Sequence, residues 1–160
     1  MSRLSEIREL VYRELRSMPE EMERVRAVVH LNGVCLAAAL ISAKRGVHQE
    51  LAQIAAMLHD IAAYTSGSYE DHANRSAARA KTLLYEMGGM RDDEIAQICT
   101  AIAKHDDKHV VDGPLEEVLK DADVIHHTLH DPSKKVKDKE KARYDSLCQE
   151  FGLGMRATNA

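Results

Sequence analysis

Several protein classes are excluded by what this 160-residue chain does not contain. No run of alternating apolar and polar residues with β-branched enrichment occurs, so strands are not expected. The most apolar run, residues 34–43, is too short to span a bilayer. The opening stretch MSRLSEIRELVYREL interleaves charges with apolar residues and has no unbroken apolar core of the secretory kind. The three cysteines, Cys35, Cys99 and Cys148, are odd in number and widely spaced, which points to reduced thiols and against a disulfide framework or a zinc knuckle. No excess of positive charge exists either: the formal net charge is -4, so a broad nucleic-acid footprint is not expected. The expectation is a cytoplasmic protein whose partners are small molecules, with neither nucleic acid nor membrane among them.

What the chain does contain is helical periodicity from end to end. It predicts an all-α fold, a single bundle of about six to seven helices over residues 1–152, with 153–160 as a frayed tail. The expected helices cover residues 5–16, 20–44, 49–63, 70–87 and 92–105, then one beginning after Pro114 and a last one at 144–151. Pro19, Gly46, Gly88-Gly89, Asp112-Gly113-Pro114 and Gly152 punctuate them. The lysine-rich stretch 131–143 reads as a solvated turn and helix start. Neither the first helix nor the last reveals from its amphipathicity whether it packs on the core or on another copy, so a homo-oligomer stays open.

Within this pattern, His30, His59, Asp60, His72, His105 and Asp123 fall inside or at the mouth of apolar helical stretches. An isolated imidazole or carboxylate is costly there, and the simplest shared partner is a metal cation. His105 follows Ile102 by three and Asp123 follows Leu119 by four, so both share buried faces. Asp121, beside Lys120, reads as a surface acid. His130-Asp131 abuts Pro132 and reads as a helix end. His48, His109, His126 and His127 read as capped or solvated, although His126 follows Asp123 by three and could support the site from behind.

The order His30, His59-Asp60, Asp123, with the stretch HANRSA at 72–77 and the phrase LKDADVI at 119–125, resembles the HD-domain superfamily of all-helical metal-dependent phosphohydrolases over about residues 25–127. The resemblance implies a divalent metal held by His30, His59, Asp60 and Asp123. It also implies a subgroup in which Asp60 bridges to a second ion bound by His72 and His105. One or two ions per chain remain open, as does their identity among Fe, Mn, Ni, Co, Mg and Zn. The implied activity is hydrolysis of a small phosphorylated metabolite or nucleotide by a metal-activated water.

Asp60 would then sit at the catalytic centre, Asp106, Lys108 and His109 would be candidates to protonate the leaving group, and Arg75, Lys104 and Lys108 candidates to contact phosphate. The loop 65–69 lies between the His-Asp pair and His72, and Tyr69 there could stack on a base. Three departures narrow the substrate. Ala62 stands where many members have glycine, Ala63-Tyr64 where guanosine tetraphosphate hydrolases have Glu-Asp, and no glutamate follows as in the deoxynucleotide 5′-phosphatases; the absence of a Gly-Tyr-Pro signature argues against cyclic di-guanylate hydrolysis as well. Two alternatives share the ligand pattern: a di-iron oxygenase, and a non-catalytic metal-bound module.

Overall fold

A computed structural model describes residues 1–154. Among them are eight α-helices and no strand: α1 (Arg3–Leu15), α2 (Glu21–Arg45), α3 (Gln49–Leu58), α4 (Ile61–Ser66), α5 (His72–Met87), α6 (Asp92–Lys104), α7 (Pro114–Leu129) and α8 (Lys141–Phe151). The all-α expectation holds. Residues 155–160 of the expected tail lie outside the described part.

Local chemistry sets many of the boundaries. The Ser2 hydroxyl accepts from Ser5 N–H at the start of α1, and Pro114 opens α7, where its missing N–H has no helical partner to lose. Gly46 ends α2 in the left-handed conformation, φ 68°, which a side chain would disfavour. The element count exceeds the expected seven because the predicted helix over 49–63 is two helices. His59 ends α3, and Asp60, at φ -113° and ψ 11°, leaves helical geometry before Ile61 begins α4. The apolar run LAQIAAML carries no breaker, so periodicity alone continues the helix through it.

α2 packs against both α3 and α7, α3 against α6, and α5 against α6. Leu31, Val34 and Ile41 of α2, Ile54 and Leu58 of α3, Ile98 and Ile102 of α6 and Leu119 of α7 are essentially solvent-free. Each such side chain contributes about 1.5–3 kcal/mol by burial. α2 is long and apolar enough by length and composition alone to cross a bilayer, a test that a core helix also passes, and half of its apolar window is buried against the rest of the fold.

Charged residues tie the helices together more deeply than the sequence suggested. Asp121, expected at the surface, is buried, 2.8 Å from Arg45 of α2 and 3.1 Å from Arg143 of α8. Its position looks solvated on a helical wheel, but α8 covers that side of α7. Lys120 is also fully buried, its ammonium donating to Asp112 and to the Val110 carbonyl at 2.7 Å each. The stretch 131–143 is likewise no plain solvated turn: Val136 packs against the core and Glu140 is buried.

Candidate metal centre

Five helices converge to bring the six predicted ligands together. His30 comes from the middle of α2, His59 and Asp60 from the break between α3 and α4, His72 from the first residue of α5, His105 from the end of α6 and Asp123 from α7. All six are buried. The break matters because a continuous helix would send Asp60 on a 100° step away from His59. With the chain turned there, the Ala62 N–H donates to the Ser76 hydroxyl of α5 at 3.1 Å.

The two oxygens of Asp60 face different imidazoles. Oδ2 lies 3.4 Å from His30 Nε2 and 3.3 Å from His59 Nε2, whereas Oδ1 lies 3.4 Å from His72 Nε2 and 3.2 Å from His105 Nε2. Asp123 Oδ1 joins the first set, 3.4 Å from His30 Nε2 and 3.6 Å from His59 Nε2. Three of the rings are fixed from behind by backbone carbonyls: His59 Nδ1–H donates to Ala56 (2.6 Å), His72 Nδ1–H to Tyr69 (2.9 Å) and His105 Nδ1–H to Ile102 (2.7 Å). A carbonyl only accepts, so each of these rings, once its Nε2 carries no proton, points that lone pair into the centre. His30 Nε2 stands only 3.2 Å from His59 Nε2, and its Nδ1 is 2.9 Å from His126 Nδ1.

The electrostatics call for positive charge. Asp60 Oδ1 and Asp123 Oδ1 are buried and accept no hydrogen bond, which is costly for a carboxylate unless a cation meets it. Burial opposes protonation of His59, but the Asp60 and Asp123 carboxylates outweigh it and raise its pKa to about 10. Burial also opposes ionisation of Asp60 and Asp123. The charge of His59 beside Asp60 and of Lys108 beside Asp123 prevails and holds both well below the usual carboxylate range. Burial lowers the pKa of His30 and of His105. Nitrogen and oxygen donors in two adjoining groups around one bridging carboxylate fit divalent metal: His30, His59 and Asp60 offer donor atoms within 4.8 Å of one another, as do Asp60, His72 and His105.

A cavity of about 340 Å³ opens onto this cluster and is lined by His30, Asp60, His72, His105, Asp123, Tyr64, Tyr69, Asp106, His127, Lys137, Lys139 and Glu140. Of the predicted catalytic and phosphate-contacting residues, Asp106 lines it, bound to Lys139 at 2.8 Å. Lys108 lies behind the centre, buried, donating to Asp123 Oδ2 and to the His105 carbonyl at 2.7 Å each. Lys104 pairs with Asp112 at 3.0 Å, and Arg75 folds back on the 66–70 loop, donating to the Glu70 and Ser68 carbonyls and the Ser66 hydroxyl. His109 is exposed, and neither it, Lys104 nor Arg75 lines the cavity.

The sequence pattern offers His126 as a possible support behind the site but does not single out His127, Lys137, Lys139 or Glu140. His126 and His127, expected to be capped or solvated, are half-buried against the centre. His127 Nε2 is 3.4 Å from Asp123 Oδ1, and its ring stacks on His30 at 5.2 Å between centroids. The spacing of His127 four beyond Asp123 was the available signal. For Lys137, Lys139 and Glu140 no local pattern existed, because a loop brings them to the mouth from beyond the end of α7.

Comparison with known proteins agrees with this geometry. Residues 27–128 match the HD domain family. A solved structure of a predicted HD superfamily hydrolase from an uncultured Thermotogales bacterium superimposes with a TM-score of 0.60 at 22% identity, over 90% of this chain and 88% of that one. That likeness bears on the fold. No curated protein matches the sequence.

Proposed function

The chain belongs to the HD-domain family, and from that premise we propose that it is a metal-dependent phosphohydrolase acting on a small phosphorylated metabolite or nucleotide through two divalent ions. The observation that carries this reading is the pair of buried carboxylate oxygens, Asp60 Oδ1 and Asp123 Oδ1, that accept no hydrogen bond while imidazole Nε2 atoms surround them. His30, His59, Asp60 and Asp123 would hold one ion, and Asp60, His72 and His105 the other. A divalent ion held there supplies Lewis acidity toward a water and toward phosphoryl oxygens.

The remaining residues of the cavity suit an anionic substrate of modest size. Its volume of about 340 Å³ is at the lower end for a small-molecule site. Lys137 and Lys139 bring positive charge to the mouth, complementary to phosphate. Burial opposes ionisation of Asp106, but the Lys139 ammonium outweighs it and lowers its pKa. The Asp106–Lys139 pair, 2.8 Å apart, orients the lysine at the wall of the cavity. Tyr64 and Tyr69 present ring surface along one wall, which a nucleobase could use.

The test is elemental analysis of the purified or reconstituted protein alongside phosphate release from a panel of phosphomonoesters and nucleotides. Two ions per chain, falling toward one in His72→Ala and to none in Asp60→Ala, with metal-dependent phosphate release, is the expected result. Oxygen consumption by an iron-loaded protein without phosphate release would replace this reading with the oxygenase. Absence of bound metal after reconstitution with any of the candidate ions would remove both.

A further inference from the structure

The family pattern uses six ligands, yet a seventh imidazole stands in the same cluster with the support that metal-bound histidines have. His127 Nε2 faces Asp123 Oδ1 at 3.4 Å, and His30, Asp123 and His127 offer donor atoms within 4.8 Å of one another. On the far side of the ring, Nδ1–H donates to Glu140 Oε1 at 2.7 Å. A carboxylate behind a histidine fixes the tautomer that turns Nε2 toward a metal and raises its basicity. Glu140 is itself almost fully buried, and its other oxygen accepts no hydrogen bond. Among the described residues its ion-pair partner is His127, and a buried glutamate is expensive to keep unless paired, which argues that it serves the histidine it touches.

Glu140 is anchored in the chain by its N–H donating to the Lys137 carbonyl at 2.9 Å, and Lys137 and Lys139 stand beside it at the mouth. Lys139 reaches across to Asp106, and Val136 packs on the core. The segment therefore touches the centre through Glu140 and the far wall through Lys139.

We propose that His127, oriented by Glu140, is an additional protein donor to the ion held by His30, His59, Asp60 and Asp123, so that occupancy of that ion fixes the segment 136–140 and the two lysines that face substrate. This rests on the metal-dependent reading above, and goes beyond it by coupling the metal to the substrate-facing wall. His127 serves as a ligand, and Glu140 as a positioning residue acting through it.

Cobalt(II) titration of the chelator-stripped full chain, followed by its visible spectrum and by competition with a chelator, tests this in wild type, His127→Phe and Glu140→Gln. The phenyl ring keeps the stack on His30, and the glutamine keeps the shape of the carboxylate. Limited trypsin digestion with and without cobalt reports on the segment, whose Lys135, Lys137 and Lys139 are exposed cleavage sites. The expected result is an altered cobalt spectrum and an affinity at least about 10-fold weaker in both variants. Metal protection of the segment from trypsin should be present in wild type and lost in both.

If wild type binds cobalt and either variant matches its spectrum, affinity and protection, the additional ligand is overturned while the metal-dependent reading stands. If wild type binds no metal, both fall together. Should His127→Phe fail to fold by far-ultraviolet circular dichroism, Glu140→Gln carries the test alone.

Discussion

Lys108 and Gly33 show how single residues support the cluster from behind. Lys108 places a buried ammonium against Asp123 Oδ2, offsetting one of the two buried carboxylates. Lys108→Met leaves that charge uncompensated, and we expect a loss of about 3–5 kcal/mol in the metal-free protein. The loss should be smaller with metal bound, read from urea unfolding with and without added ion; equal stability to wild type in both states would show that the pair contributes nothing. Gly33 lies under His126, where an added Cβ would sit 2.1 Å from the ring Cδ2. Gly33→Ala must displace His126 from His30, at a cost of about 1–3 kcal/mol by overpacking. We expect metal affinity to drop on the order of 10-fold. Gly33→Ala combined with His126→Ala should recover stability and not affinity, and a single mutant with wild-type affinity would show that the contact between His126 and His30 does not support metal binding.

Among the elements, the break between α3 and α4 is what turns a sequence motif into a site. The Ser76 hydroxyl accepts the Ala62 N–H at the first turn of α4, which explains a serine at the fifth position of HANRSA. Ser76→Ala leaves a buried N–H unpaired, and a destabilisation of about 1–3 kcal/mol follows. Because α4 begins next to Asp60, hydrogen exchange at the amides of Ile61–Ser66 should rise in this variant. Protection unchanged from wild type would show that α4 is held by packing alone. The segment 131–140 teaches the same lesson from the opposite direction. Its composition reads as solvated, yet one buried glutamate and one apolar residue fasten it over the cavity.

For the molecule as a whole, proton linkage separates the metal-free from the metal-bound form. The folded pKa of His59 is raised to about 10, while an unfolded histidine titrates near 6.5. The stability His59 gains from its proton is therefore fully present below about 6.5 and lost as pH rises toward 10. Asp60 and Asp123 have the opposite sign: their contribution is present above about 4 and lost as pH falls further. A metal ligand must be deprotonated, so metal binding at neutral pH should release about one proton per chain from His59. Titration calorimetry in buffers of different ionisation enthalpy measures this directly, and binding heats independent of buffer would refute it.

By itself the sequence determined the all-helical fold, most helix boundaries and the six candidate ligands, because periodicity and capping are local and because buried imidazoles and carboxylates stand out against apolar helical faces. Tertiary structure alone decided that the helix bearing His59 and Asp60 breaks between them, that Asp121 and Lys120 are buried in ion pairs, and that Arg75, Lys104 and Lys108 turn away from the cavity. It also decided that His127, Glu140, Lys137 and Lys139 reach the cavity. Burial and charge pairing depend on which helix covers which face, and a loop that returns from beyond α7 leaves no period in the sequence to mark where it lands.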